Sequence, residues 1–220
     1  MGRRGALIVM EGLDRSGKST QAKLLLEHFQ RRGEPARIQR FPDRDEPRTG
    51  PTIDAFLRNA KSVDESREAI HLIFAANRWL TVHKMLKELE EGRHLIVDRY
   101  SYSGIAYSLA KGLPLEWVCS SEVGLPRPDL VLFFDADAAS VSVRGGFGEE
   151  VMERGEFQQK VYVHMNSLSD GTFWRHIDAT GSIDEVHKFV VEEVGILLGK
   201  MQENGRKVPV AKFTNADFGI

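Results

Sequence analysis

The sequence predicts an α/β protein in three layers, a five-stranded parallel sheet flanked by helices on both faces. Three observations carry this. Short apolar runs alternate with amphipathic stretches along the chain, the pattern of βαβ units. A glycine-bearing turn, Gly12 to Thr20, joins the first apolar run to the first amphipathic stretch. The chain has 220 residues, 41% hydrophobic and 28% charged, which suits one globular domain spanning residues 1–220. Right-handed crossovers then distribute the helices over both faces.

Each element follows from local pattern. Ala6 to Met10 is an unbroken apolar run, as a strand covered on both faces requires. Gln21 to Arg32 reads as a helix, with Ala22, Leu25, Leu26 and Phe29 on one face and Gly33 as its stop. Ala36 to Phe41 is a second strand closed by Pro42, and Pro47, Gly50 and Pro51 mark the loop after it. Helices are expected over 51–60 and continuously over 65–91. Leu95 to Asp98 is a third strand, followed by helical stretches at 102–110 and 114–121. Leu130 to Asp135 is a fourth. Residues 143–155 are rich in glycine and charge and poor in apolar side chains, which reads as a mobile loop. A helix from about 156, a weak strand near 173–178 and a helix from Ile183 to Met201 complete the pattern, and 203–220 shows no period.

Composition excludes several classes. Thirty basic against thirty-two acidic side chains argue against nucleic-acid or membrane binding by bulk charge. The apolar runs fall far short of the roughly 20 residues of a membrane span. No signal peptide is expected behind Met1-Gly2-Arg3-Arg4. A single cysteine, Cys119, forms no internal disulfide, so a reducing, cytoplasmic location is expected.

Gly12-Leu13-Asp14-Arg15-Ser16-Gly17-Lys18-Ser19 fits G-x-x-x-x-G-K-[ST] and lies between a strand and a helix, the context the motif requires. This refines the fold class to that of P-loop NTPases. Glycines let backbone N–H groups face phosphate oxygens, and the helix N-terminus adds its positive dipole end. Lys18 is suited to bridge the β- and γ-phosphates of ATP, and the Ser19 hydroxyl to ligate Mg²⁺. Asp98 closes the third strand, where a carboxylate reaches Mg²⁺ directly or through water, and Arg99 follows it. In open parallel sheets ligands sit beyond the carboxyl ends of the strands. Gly12, Phe41 to Arg44, Asp98 to Tyr100 and Asp135 all fall there. Arg15, Arg44, Arg78, Arg99, Arg144 and Arg154 are candidates to neutralise charge in phosphoryl transfer. Phe74 and Arg78 lie four residues apart, on one helix face. Pattern alone leaves Phe74 between core packing and stacking on a planar base. The seven histidines show no metal-ligand spacing.

Taken together the motifs resemble thymidylate kinases of the eukaryotic type, from about Gly5 to Val190. Beyond the phosphate loop with its trailing Thr20, the resemblance rests on Phe41-Pro42-Asp43-Arg44, Phe74-Ala75-Ala76-Asn77-Arg78-Trp79, Asp98-Arg99-Tyr100 with Ser103-Gly104-Ile105-Ala106-Tyr107, and Gly124-Leu125-Pro126-Arg127-Pro128-Asp129-Leu130. It implies ATP and thymidine monophosphate as substrates, Mg²⁺ as cofactor, dTTP synthesis as the context and a homodimer. It implies that Asp14 contacts the deoxyribose 3′-hydroxyl and that Arg15 is a catalytic arginine in the phosphate loop. Arg44 and Arg99 would hold the monophosphate, Phe74 stack on thymine and Arg78 bond its O4. Phe41, Pro42, Asn77, Ser103, Gly104 and Tyr107 would complete the acceptor site. Gln158 matches a family glutamine near the acceptor, 143–155 the lid, and Asp178-Ala179-Thr180 a segment near adenine. Met152 stands where many members carry a tyrosine, and nothing from about Asn204 onward has a counterpart. Two other classes share parts of this pattern. A deoxynucleoside kinase would want a carboxylate base such as Asp43 for a neutral 5′-hydroxyl. A nucleotide-binding module would bind without turnover.

Overall fold

A computed structural model describes residues 4–58, 67–136, 155–169, 172–203 and 209–220. Five strands, β1 (Leu7–Gly12), β2 (Ala36–Arg40), β3 (His94–Asp98), β4 (Leu130–Asp135) and β5 (Trp174–Asp178), form one sheet. Their order is β2-β3-β1-β4-β5, and every pairing is parallel. Every residue of β1 is buried, so both faces of the sheet centre are covered, as a parallel sheet demands. Helices α1 (Lys18–Arg31) and α8 (Ile183–Glu203) pack on one another and on the sheet. A second group consists of α3 (Arg67–Trp79), α5 (Ser101–Ala110), α6 (Leu115–Ser120) and α7 (Gly155–Ser167), joined through α5. Among the described residues α2 (Gly50–Arg58) and α4 (Val82–Glu90) complete the set. No helix among them is long and apolar enough to cross a membrane.

The expected helix over 65–91 is two helices. The Thr81 hydroxyl donates to the Arg78 carbonyl at 2.7 Å, and the Thr81 N–H bonds the same oxygen at 3.1 Å. A threonine that bonds three residues back ends the α-helical ladder there. The tail, featureless in pattern, is part of the core. Phe213 and Phe218 are buried and pack edge-on to Tyr102. Gly124 N–H donates to the Phe213 carbonyl and Phe213 N–H to the Leu125 carbonyl, both at 2.9 Å. A short 3₁₀ turn, Asn215–Phe218, ends it, with Asp217 paired to Arg127 at 2.8 Å. Residues 209–220 therefore contribute burial without any motif. The lid expected at 143–155 lies outside the described residues except for Gly155, and with it Arg144, Met152 and Arg154.

Candidate active site

The carboxyl ends of β1, β2 and β3 converge on two adjoining cavities. The smaller, about 530 Å³ with its open mouth, is lined by Asp14, Arg15, Gly17, Lys18, Ser19, Thr20, Arg40, Asp98 and Arg99. Its floor is the turn between β1 and α1. Gly12 adopts φ +142, and a Cβ there would meet the Phe134 carbonyl oxygen at 2.7 Å, so the turn has room only for glycine. Gly17 adopts φ +98 before the first turn of α1, whose free N–H groups open toward the cavity. Arg15 also has positive φ, at 63°.

Lys18 is buried, and its Nζ donates to the Ser16 hydroxyl at 3.2 Å and to the Leu13 carbonyl. Burial and the nearby Arg99 push its ammonium down to about 7, against the pull of Asp98, Asp14 and Glu11. It is poised to gain a full charge when an anion arrives. The Ser19 hydroxyl donates to Asp98 Oδ2 at 2.5 Å, which couples the first residues of α1 to the end of β3. A hydroxyl beside a carboxylate is an oxygen donor pair suited to a hard cation that takes its remaining ligands from phosphate and water. No cluster of three or more metal-ligating side chains exists among the described residues, and such a cation needs none.

The second cavity, larger when its open mouth is counted at about 820 Å³, adjoins the first. Phe41, Pro42, Arg44, Phe74, Arg78, Ser103, Gly104 and Tyr107 line it, with Asp14 and Arg99 at the junction with the first cavity. Asp14 is the hub. Arg99 pairs with its Oδ1, while the Tyr107 hydroxyl at 2.6 Å and Gln158 Nε2 at 3.1 Å donate to its Oδ2. Burial pushes this carboxyl up, but Arg99, Lys18 and the two donors outweigh it, so Asp14 stays ionised. Arg99 has φ +66 and further donates to the Gly12 carbonyl and the Ser103 hydroxyl, each at 3.2 Å. Phe74 is half-buried, edge-on to Phe56 at 6.3 Å, and keeps surface on the cavity.

Some expected site residues stand elsewhere. Asn77 lines neither cavity. Its side chain is fully buried, accepts from Asp43 N–H at 2.7 Å and donates to the Asp43 carbonyl and the Thr49 hydroxyl. A buried amide must satisfy its polar atoms, and this one does so by holding the loop that carries Arg44. Gln158 is likewise buried behind the wall, and reaches the cavity through Asp14 and Tyr107. Gly12 and Ser16 shape the loop from beneath without lining it. Thr180 is exposed and donates to Asp178 from both its N–H and its hydroxyl, away from either cavity.

Two buried carboxylates, Glu122 and Glu11, matter although motif reading does not single them out. Arg78 forms a buried two-bond ion pair with Glu122, Nε to Oε2 at 2.8 Å and Nη2 to Oε1. Gly104 lies flush beneath that guanidinium; a Cβ there would come within 2.6 Å of Arg78 Nη2. Glu11, fully buried, accepts from Tyr100 N–H, Ser103 N–H and the Ser103 hydroxyl, so it anchors the start of α5. Burial raises its pKa despite those donors. A carboxylate inside an apolar run was the available signal for Glu11; nothing local marks Glu122. Leu57, His71, Ser108 and Lys111 also line the larger cavity, and Arg40 lines both.

Comparison with known proteins decides what this arrangement belongs to. The family model described as thymidylate kinase matches residues 10–190. This chain belongs to the thymidylate kinase family. It is 47% identical over 197 residues to a thymidylate kinase of Caenorhabditis elegans, covering 86% of this chain and 89% of that one. It is 41% identical to the human thymidylate kinase over 189 residues, with 84% and 88% covered. The solved structure of thymidylate kinase from Candida albicans superposes with a TM-score of 0.82 at 34% identity, across 97% of this chain and 100% of that chain. Membership makes the chain an enzyme, a phosphotransferase built on the P-loop NTPase fold.

Proposed function

We propose that the chain transfers the γ-phosphoryl group of ATP to thymidine monophosphate, giving ADP and the diphosphate for dTTP synthesis, as one kinase domain with 143–155 as its lid. The observation that carries this is the pair of cavities meeting at Asp14, Arg40 and Arg99. One has the phosphate loop as its floor; the other combines an aromatic ring, a buried arginine and further cationic side chains, which suits a planar base on an anionic tail.

Transfer is in line. An oxygen of the acceptor phosphate forms a bond to the γ-phosphorus as the bond to the β,γ-bridging oxygen breaks, and ADP leaves. Such a reaction needs positioning and charge neutralisation more than a base. Lys18 and the N–H groups opening α1 hold the triphosphate, and Arg15 neutralises charge that grows during transfer. Ser19 and Asp98 would hold Mg²⁺, which supplies charge neutralisation across the phosphates. Arg99 and Arg44 hold the acceptor phosphate, Asp14 the sugar hydroxyl, and Phe74 with Arg78 the base. Arg144 and Thr180 remain donor-site candidates.

The deoxynucleoside kinase reading is not favoured: Arg44 and Arg99 beside the acceptor cavity suit a phosphate better than a neutral hydroxyl. A homodimer through α3 and α6 is supported by Leu72, Trp79 and Trp117, large apolar side chains that stay exposed. A cytoplasmic location is supported by the free, buried Cys119.

A coupled ADP-release assay with ATP, Mg²⁺, a panel of nucleoside monophosphates and thymidine tests the reaction. Turnover of thymidine and deoxyuridine monophosphates is expected, and their ratio grades the pocket for the 5-methyl group, worth about 1–3 kcal/mol. Turnover of thymidine alone, or silence across the panel, overturns it.

A further inference from the structure

Among the described residues three side chains line both cavities, Asp14, Arg40 and Arg99. Asp14 and Arg99 are bound to each other there. Arg40 is the third, and no motif accounts for it. It is the last residue of β2, in register with Asp98 at the end of β3, so strand pairing fixes its backbone at the mouth of the site. Its Nε lies 3.8 Å from Asp98 Oδ2, beyond hydrogen-bond range, and its side chain is 67% exposed.

The other arginines of the larger cavity have their guanidinium groups engaged. Arg78 is held by Glu122, Arg99 by Asp14, Gly12 and Ser103, and Arg44 pairs with Asp54 at 3.0 Å. Among the described residues Arg40 donates no hydrogen bond from its guanidinium and touches Asp98 only as a distant charge. A long cationic side chain, anchored by its backbone and otherwise held only by attraction to one carboxylate, can swing to a new anion without breaking a hydrogen bond. The junction between the cavities is where a donor phosphate and an acceptor phosphate would approach, and their mutual repulsion there requires a cation.

We propose that Arg40 is a further catalytic residue, donating to the phosphate of the acceptor at the point of transfer. This rests on the reading of the chain as a kinase of a nucleoside monophosphate.

The test compares Arg40→Ala and Arg40→Lys with the native enzyme. The Arg40 side chain is 67% exposed and donates no hydrogen bond among the described residues, so both variants are expected to keep the native melting temperature. Affinity is measured by calorimetry for thymidine monophosphate and, as a probe lacking the phosphate, thymidine; kcat and KM are measured for both substrates. Arg40→Ala is expected to weaken thymidine monophosphate binding or lower its kcat/KM about 10- to 100-fold, the loss of a charge-assisted hydrogen bond, with thymidine affinity and the KM for ATP unchanged. Arg40→Lys recovers part of the loss, because the charge stays and the fork is gone. Equal weakening of the two ligands, a change confined to ATP, or no change overturns the proposal. Failure of the underlying reading looks different: the native enzyme would then not turn over thymidine monophosphate at all.

Discussion

Replacing Glu122 by Gln removes the charge opposite Arg78 and leaves the shape almost untouched. The two side chains are 0% and 3% exposed, so neither is solvated by water when its partner goes. An orphaned buried guanidinium costs about 3–5 kcal/mol. For a chain of this length that is a fall of roughly 6–20 °C in melting temperature, at about 2–4 °C per kcal/mol. It is also a large fraction of a typical total stability of about 5–15 kcal/mol. Two-state denaturant unfolding of Glu122→Gln, Arg78→Met and the double variant gives the coupling directly. The double variant should recover part of the loss, because with Met at 78 and Gln at 122 no charge is left to desolvate. In the same variants the KM for thymidine monophosphate rises, since Arg78 also faces the larger cavity. A Glu122→Gln variant within about 0.5 kcal/mol of native, or additive single effects, refutes the account of a dry, mutually dependent pair.

Arg15→Ala should lower kcat at least about a hundredfold with a modest change in acceptor affinity, because its contact strengthens in the transition state; steady-state and binding measurements together check this. Binding of ATP near pH 8 should take up a proton: Lys18, at about 7 in the free protein, is mostly neutral at that pH and recharges beside a triphosphate, which calorimetry in buffers of different ionisation enthalpy detects. His71 is buried and bonds the Ser108 hydroxyl at 2.8 Å, and burial above all holds it down at about 4. The unfolded chain binds that proton near pH 6.5 and the folded one does not until about 4. Stability from this source is therefore full above pH 6.5 and falls by up to about 3 kcal/mol as pH drops toward 4. A His71→Gln variant should lose that part of the pH dependence in denaturant unfolding.

Most of the sheet and the cavity over the phosphate loop were legible from local pattern. A buried parallel strand must be apolar along its length, so β1, β3 and β4 announced themselves. The phosphate loop is a contiguous stretch whose spacing is itself the geometry, so Gly17, Lys18 and Ser19 stand where the motif implied. The lining of the second cavity was suggested only through resemblance, since Phe74 and Arg78 on one helix face fit a core as well as a base. Asn77 shows the limit of reading by motif. It belongs to the same motif as Phe74 and Arg78, yet as the neighbour of Arg78 it is rotated about 100° around the helix and meets the Asp43 loop instead of the cavity. Arg40 carries no local signal, since it is the last residue of β2 and the pattern marks it only as strand.

By itself the sequence determined the alternation of strand and helix and the anion-binding turn, whereas the meeting of Ser19 with Asp98, 79 positions away, belongs to the tertiary structure. Hydrophobic periodicity and short spacings encode the alternation and the turn within a few residues of one another. Tertiary structure alone decided what joins distant segments. Arg78 meets Glu122 across 44 positions, Glu11 meets Tyr100 across 89, and Gln158 meets Asp14 across 144. The tail of no recognisable period became core because Phe213 and Phe218 found Tyr102. Burial makes an unpaired charge or amide costly, so these partners had to be found, but which partner serves depends on the packing of the whole chain, which no local pattern contains.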